Sequence, residues 1–123
     1  MRLLPRGFDR YAMARVLEDV SAERVAQHEK WGEQSHRNGT CESMDTINLE
    51  WARDAYAEAA ASGNLSWREI LTEEVAEAYA ERNAARLRRE LIQVAAVAVA
   101  WIEDLDRHYD WEDEDTSKLK VAP

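Results

Sequence analysis

Three glutamates near the middle of the chain occupy positions where apolar residues are expected. The segment EEVAEAYAERNAARLRRELIQV, residues 73–94, reads as two helices joined by a short turn near Asn83. At 100° per residue, Glu74 lies within the apolar arc of the first helix and Glu77 lies at its edge. Glu90 lies within or beside the apolar stripe of the second helix. Carboxylates on such faces are costly to bury unless protons, arginines or a cation compensate their charge.

The turn brings these carboxylates to nearly the same height on facing helices. Glu74 and Glu90 each lie about eight residues from the turn, which is a rise of about 12 Å along either helix. Glu77 lies one helical turn closer to the bend, and Gln93 lies one turn further away. Three carboxylates and an amide oxygen are hard ligands that suit magnesium, which usually also keeps water or takes phosphate oxygens. The spacing therefore indicates a magnesium site on a helical hairpin.

The alternative is that the same acids only form ion pairs on an exposed helical surface. Glutamates three and four residues apart are common on such surfaces, and the hairpin carries arginines that could neutralise them. These arginines are Arg82, Arg86, Arg88 and Arg89. On this alternative the protein is a helical interaction protein without a metal.

Length and charge restrict the class of protein. The 123 residues suffice for one domain with a modest core. Hydrophobic residues make up 46% and glycine and proline are scarce, which favours a helical protein. A chain with a net charge of −9 is expected to bind nucleic-acid backbones or anionic membranes poorly, because like charges repel. A polyanion such as a nucleotide would need a cation between it and this chain.

Other features favour a cytoplasmic protein. The N-terminus has no long apolar run of the kind found in signal peptides. The longest uncharged run, residues 91–102, is too short to span a bilayer. The single Cys41 excludes an intrachain disulfide and fits a reducing compartment.

Four helices are predicted, covering about residues 9–30, 45–62, 66–82 and 84–107. The signals that bound them are Gly32, Gly63, the Ser66–Glu69 capping box and Asn83. The very short third connection predicts an all-α, antiparallel four-helix-bundle-like domain over residues 1–123, with a core from about 9 to 107. Residues 108–123 are expected to form a frayed acidic tail. The fourth helix is apolar on nearly all sides, so we expect a second subunit to cover part of it in a two-fold dimer.

The acidic positions carry a family resemblance. Glu73-Glu74-x-x-Glu77, a gap of 12 residues and Glu90-x-x-Gln93 resemble the EExxE…ExxD signature of the MazG-like all-α nucleoside triphosphate pyrophosphohydrolases. The segments ERVAQHEKWGEQSH and LSWREILTEEVAEA look like small MazG-like proteins of phages and actinobacteria, so the resemblance spans about residues 18–107. It implies a dimeric or larger all-α protein that uses Mg²⁺, or Mn²⁺, to cleave nucleotides. The implied products of an NTP or dNTP are the monophosphate and pyrophosphate.

The resemblance also implies roles for individual residues. Glu74, Glu77 and Glu90 match metal ligands, and Glu74 thereby belongs to the catalytic set. Glu73 matches the leading acid, which binds a second metal or orients the attacking water. Gln93 stands where the family has Asp, so one negative ligand is lost, although its carbonyl oxygen can still bind a metal. A relative that binds nucleotides with weak or no cleavage is the alternative that this position leaves open.

Polar and aromatic residues continue the apolar stripe of the first helix. The stripe begins with Met13, Leu17 and Val20. The residues that follow on this side are Arg24, Gln27, His28 and Trp31. Here we expect a substrate pocket in which Trp31 stacks on a base, Gln27 reads its edge and Arg24 meets phosphate. The alternatives are that Trp31 is a core or rim aromatic, that His28 is an ordinary histidine, and that Arg24 pairs with an acid of the hairpin.

Overall fold

The computed structural model describes residues 4–109 and Trp111. Over these residues the prediction of an all-α protein is confirmed: the chain forms four α-helices and no β-strand. The helices are α1 (Arg10–Trp31), α2 (Asp45–Ala61), α3 (Trp67–Ala80) and α4 (Ala84–His108). No helix in this part of the chain is both long and apolar enough to cross a bilayer. The tail predicted over residues 108–123 lies almost entirely outside the described residues.

The described residues form two compact units. One contains α1 together with the described residues from Val99 onward, and the other contains residues 36–98. The second unit therefore holds α2, α3 and most of α4, including every acid of the predicted metal site. The single domain and the four-helix-bundle arrangement stay predictions.

The first two helices end where Gly32 and Gly63 predict, and α1 also has a side-chain cap at its start. Asp9 is the N-cap of α1, and its Oδ1 accepts hydrogen bonds from the backbone nitrogens of Tyr11 and Ala12, both at 3.0 Å. Gly32 ends α1 at φ 70° and Gly63 follows α2 at φ 75°. Both lie in the left-handed region that glycine adopts without a steric cost.

The turn between α3 and α4 consists of residues 81–83 and is held by side chains. Asn83 Oδ1 accepts a hydrogen bond from the backbone nitrogen of Arg86 at 3.0 Å, which makes Asn83 the N-cap of α4. Glu81 Oε1 accepts one from the backbone nitrogen of Asn83, also at 3.0 Å. Glu81 has extended backbone angles, so α3 ends at Ala80, two residues earlier than predicted. This compact turn fixes which residues of α3 and α4 face each other.

The start of α3 differs in detail from the predicted capping box. Ser66 is the N-cap and has extended backbone angles, as predicted. Its hydroxyl donates a hydrogen bond to the Glu69 carboxylate and does not accept one from a backbone nitrogen. This bond is the main reason why the pKa of Glu69 lies below its ordinary value. The box is therefore formed only in part.

Small side chains form the buried centre of the second unit. The buried residues there are Ala52 on α2, Ala76 and Ala78 on α3, and Leu87 on α4. Alanines on both α2 and α3 allow these two helices to pack closely. Cys41 connects the loop between α1 and α2 to the end of α3. Its backbone nitrogen donates a hydrogen bond to the Tyr79 carbonyl at 2.8 Å, and its thiol donates one to the Ala80 carbonyl at 3.5 Å. These bonds use carbonyl groups that the helix leaves unpaired.

In the first unit the buried position differs from the predicted stripe. Val16 is the most buried residue of α1, with 1% of its surface exposed. Leu17 and Val20, which the stripe placed inward, are 45% and 41% exposed in a single chain. The prediction therefore failed to single out Val16. It used the 3.6-residue period of α1 alone, without knowing which side a neighbouring element would cover.

The Asn83 cap gives a testable prediction about the hairpin. Asn83→Ala removes the acceptor for the Arg86 backbone nitrogen, and we expect it to lower the free energy of unfolding by about 1 kcal/mol. Asn83→Ser keeps a capping oxygen and should recover most of that loss. Urea unfolding of the two variants measures the difference. Equal losses would show that the side-chain cap does not stabilise the turn.

Candidate functional site

The α3–α4 hairpin brings the three predicted ligands together. One carboxylate oxygen from each of Glu74, Glu77 and Glu90 lies within 4.8 Å of the other two. All three residues are half-buried rather than splayed into solvent. Because Glu74 and Glu77 are separated by one turn of α3 and Glu90 lies at matching height on α4, the arrangement follows directly from the short connection. The predicted convergence of carboxylates is therefore present.

Gln93 joins this cluster from the next turn of α4. With its amide nitrogen turned toward the acids, it donates to Glu74 Oε2 at 3.0 Å and to Glu90 Oε2 at 3.3 Å. The opposite amide orientation places the carbonyl oxygen there, where it would be a fourth oxygen for a cation. The Gln93 side chain can therefore either donate hydrogen bonds to the carboxylates in the absence of a metal or help them to bind one.

Burial and like charges act together on the acids. Burial is the largest cause that raises the pKa of Glu73, Glu74 and Glu90 above the ordinary value of 4.5. The charge of Glu77 raises all three pKa values further, and for Glu73 and Glu90 a side-chain hydrogen bond with Glu77 acts in the same direction. Each ionised acid thus makes ionisation of its neighbours harder. At neutral pH a divalent cation would relieve this repulsion.

One arginine from α2 approaches the cluster. The Arg53 Nη2 atom lies 3.7 Å from Glu77 Oε1, and the Arg53 side chain is 56% exposed. Its charge also opposes the rise in the pKa of Glu73. A single, partly exposed guanidinium at this distance neutralises only part of a cluster of several acids. Among the described residues, Glu77 is the one acid of the Glu74, Glu77 and Glu90 cluster that forms an ion pair with an arginine.

A small polar cavity adjoins the acids. It has a volume of about 170 Å³ and lies among α2, α3 and α4. Its lining residues are Leu49, Arg53, Glu77, Ala80, Glu81 and Glu90. The cavity thus brings one cationic side chain and two of the candidate metal ligands to a common space.

Arg53 and Glu81 were missed by the sequence analysis. Four of the arginines considered there lie on the hairpin itself, and the three of these on α4 are exposed. Arg53 reaches the cluster because α2 packs against α3, a contact between separate helices that no short motif reveals. The position of Glu81, about one helical turn after Glu77, was a usable signal.

The predicted substrate pocket on α1 stays a prediction. Its residues belong to the first unit, and the acids belong to the second. Arg24 Nη1 donates to Gln27 Oε1 at 3.0 Å, and Gln27 Nε2 donates to Glu23 Oε1 at 3.4 Å. Trp31 is 53% exposed, with the Lys30 ammonium 4.9 Å from the centroid of one ring, and His28 is exposed. Within α1, Arg24 therefore has a neutral partner on its own helix.

The dimensions of the cluster suit a divalent cation. Magnesium lies about 2.1 Å from its oxygen ligands, so oxygens on opposite sides of the ion are about 4.2 Å apart. Oxygens at neighbouring positions around Mg²⁺ are about 3.0 Å apart, so carboxylate oxygens that lie within 4.8 Å of one another would have to draw together by up to about 1.8 Å to bind one ion. Rotation of flexible glutamate side chains can supply this movement. The three acids leave further coordination positions for water or phosphate oxygens.

The role of Gln93 can be tested by adding a charge. Gln93→Glu replaces an amide that donates to Glu74 and Glu90 with a fourth carboxylate. We expect a lower melting temperature without metal at about pH 8 and about tenfold tighter Mg²⁺ binding. Thermal melting and calorimetric titration measure the two effects. A variant whose melting temperature and Mg²⁺ affinity both equal those of the wild type would show that residue 93 does not face the cluster.

The comparison with known proteins adds no family assignment. No family model, no curated protein and no solved structure matches this chain. The resemblance to the MazG-like pyrophosphohydrolases therefore rests on the acidic positions and flanking segments of the chain itself.

Proposed function

We propose that this protein is a Mg²⁺-dependent nucleotide pyrophosphohydrolase that converts an NTP or dNTP to its monophosphate and pyrophosphate. The observation that carries the proposal is the approach of Glu74, Glu77 and Glu90 within 4.8 Å on the α3–α4 hairpin. The reaction type comes from the resemblance of these positions to the MazG-like signature. Both lines of support concern the same positions: the resemblance matches their residue types and spacing, and the geometry adds that their carboxylate oxygens lie close together.

The residues of the cluster have distinct tasks in this reaction. Glu74, Glu77 and Glu90 would hold Mg²⁺, and Gln93 would turn its carbonyl oxygen toward the same position. When bound, the ion would neutralise phosphate charge and lower the pKa of water. Glu73 lies on the same helix and its carboxyl has a raised pKa, which suits a group that accepts a proton and orients water.

Charge explains why the cation is needed for the substrate. The chain carries a net charge of −9 and the cluster itself is acidic, so a triphosphate would be repelled without compensation. A divalent ion held by three carboxylates still presents open positions to phosphate oxygens. The same site can therefore bind an anion that the bare protein would exclude.

We further propose that the protein functions as a two-fold homodimer or a larger oligomer. The buried residues of the described chain are few, and most of them are alanines. Leu91 and Ile92 on α4 are each 51% exposed, and they line an apolar cavity of about 400 Å³. A second copy covering this side of α4 would complete a core that one chain leaves open. Sedimentation at several protein concentrations is expected to show at least two chains per particle.

The activity is tested by incubating the protein with each NTP and dNTP, with and without Mg²⁺, while pyrophosphate release is followed. We expect release from at least one nucleotide with Mg²⁺, or with Mn²⁺ in its place, and none after chelation. Glu74→Gln is the matched variant, because it keeps side-chain size and removes one ligand. No pyrophosphate from any nucleotide at high protein concentration would contradict the enzymatic proposal.

A second candidate function is nucleotide binding without cleavage. The observation that favours it is the Gln93 amide, which donates to two of the three carboxylates and so reduces the need for a metal. On this reading calorimetry would show Mg²⁺-dependent nucleotide binding, and the nucleotide would be recovered unaltered. Recovery of the monophosphate would exclude it.

A further inference from the structure

We propose that Arg53 is a substrate-binding residue, whose guanidinium contacts the phosphates of the nucleotide bound at the acid cluster. This inference rests on the proposed function and adds to it a residue from α2, which lies outside the acidic signature. The observation that supports it is that Arg53, Glu77 and Glu90 line one polar cavity of about 170 Å³.

The ion pair that Arg53 makes is loose. Its Nη2 atom lies 3.7 Å from Glu77 Oε1, beyond the 2.7–2.9 Å typical of a charge-assisted hydrogen bond. A guanidinium has five N–H donors, and more than half of this side chain is exposed. Among the described residues, the contact with Glu77 is the one ion pair of Arg53. Arg53 thus keeps most of its donors for a ligand.

Glu77 would contact Arg53 before the cation binds and would contact the cation afterwards. If the Glu77 carboxylate turns toward Mg²⁺, its oxygens are less available to the guanidinium, which stays beside the site with its positive charge. The planar fork of arginine matches two phosphate oxygens at once. A phosphate group in the cavity that Arg53 lines would allow the guanidinium to replace its weak contact with Glu77 by direct hydrogen bonds.

Arg53 and the acids belong to one compact unit. Arg53 lines the same cavity as Glu77 and Glu90. Arg24 lies in the other unit, and its guanidinium donates to Gln27 on its own helix.

A purely structural role for Arg53 predicts a different result. If Arg53 only neutralised Glu77, its removal would make the cluster more negative and would tighten Mg²⁺ binding without affecting phosphate binding. If Arg53 binds phosphate, its removal should weaken phosphate binding while Mg²⁺ binding is kept or strengthened. The two roles therefore differ in the affinity for phosphate.

The experiment is a calorimetric titration of the full chain with Mg²⁺ alone, and then with inorganic pyrophosphate in excess Mg²⁺. We expect Arg53→Gln to bind pyrophosphate at least about tenfold more weakly than the wild type, with Mg²⁺ affinity unchanged or higher. Arg53→Lys should bind with intermediate affinity, because it keeps the charge and loses the fork. Arg68→Gln is the matched control: it removes the same charge from an exposed arginine about 13 Å along α3 from Glu77.

Each result supports or overturns the inference. The inference would be overturned if Arg53→Gln bound pyrophosphate as tightly as the wild type, or if Arg68→Gln lost as much pyrophosphate affinity as Arg53→Gln. It would also be overturned if Arg53→Gln lost Mg²⁺ affinity in parallel, because Arg53 would then organise the carboxylates. In all three cases Mg²⁺ binding by the wild type would still support the proposed function. A wild type that binds no Mg²⁺ would overturn the proposed function and the inference together.

Discussion

Glu74→Gln and Glu90→Gln are each expected to bind Mg²⁺ at least about a hundredfold more weakly and to lose pyrophosphohydrolase activity by a similar factor or more. Each change removes one of three charged ligands while keeping the size of the side chain. Nucleotide turnover and calorimetric Mg²⁺ titration measure the two losses. Unaltered Mg²⁺ binding in both variants would show that these carboxylates are not ligands.

The same variants should become more stable without metal. Burial and neighbouring charges raise the pKa of Glu74 and Glu90, so their ionised forms destabilise the folded state at neutral pH. Replacing either one with a neutral amide removes that repulsion, and we expect a higher melting temperature than the wild type in chelator at about pH 8. Glu58→Gln, at an exposed position on α2, serves as the control and should change neither stability nor Mg²⁺ binding.

The second prediction concerns pH. Glu73, Glu74 and Glu90 have raised folded-state pKa values, so the folded protein binds protons more tightly than the unfolded chain. This contribution to stability is fully present below the ordinary value of 4.5 and is lost as pH rises through the raised values. The metal-free protein should therefore lose stability as pH rises above that value. The groups that face these acids are Glu77, Glu81 and Arg53.

Magnesium should oppose this loss. Protons and Mg²⁺ compete for the same carboxylates, so the rise in melting temperature caused by Mg²⁺ should be near zero at about pH 4.5 and largest at about pH 8. Melting curves with Mg²⁺ or chelator across this range measure it, and Glu90→Gln should flatten the dependence. No effect of Mg²⁺ at any pH, together with harmless Glu→Gln changes, would favour the helical interaction protein with ion-paired acids.

Local chemistry explains why much of the fold could be predicted. Gly32, Gly63 and Asn83 bound the helices because capping and positive φ angles depend on the residue itself. The connection of residues 81–83 then fixes which turns of α3 and α4 face each other. For this reason the approach of Glu74, Glu77 and Glu90 followed from residue counting alone.

The remaining features depend on packing between elements that are distant in the chain. Arg53 reaches Glu77 through the contact of α2 with α3, and no spacing within one helix indicates that contact. On α1 the buried residue is Val16 and not one of the predicted stripe residues. Which side of a helix is buried depends on the element that packs against it, and the periodicity of α1 alone does not show this. The bonds from Gln93 to Glu74 and Glu90 depend on which way the amide turns, which residue type alone does not decide.

The most direct test of the account is a crystal structure of the protein grown with Mn²⁺ and a non-hydrolysable nucleotide, with the ion located by its anomalous scattering. We predict a peak within about 2.3 Å of oxygens from Glu74, Glu77 and Glu90, with a phosphate oxygen among its other ligands. A map with no peak between α3 and α4, in which the three carboxylates point into solvent or are each bound by an arginine, would contradict the account.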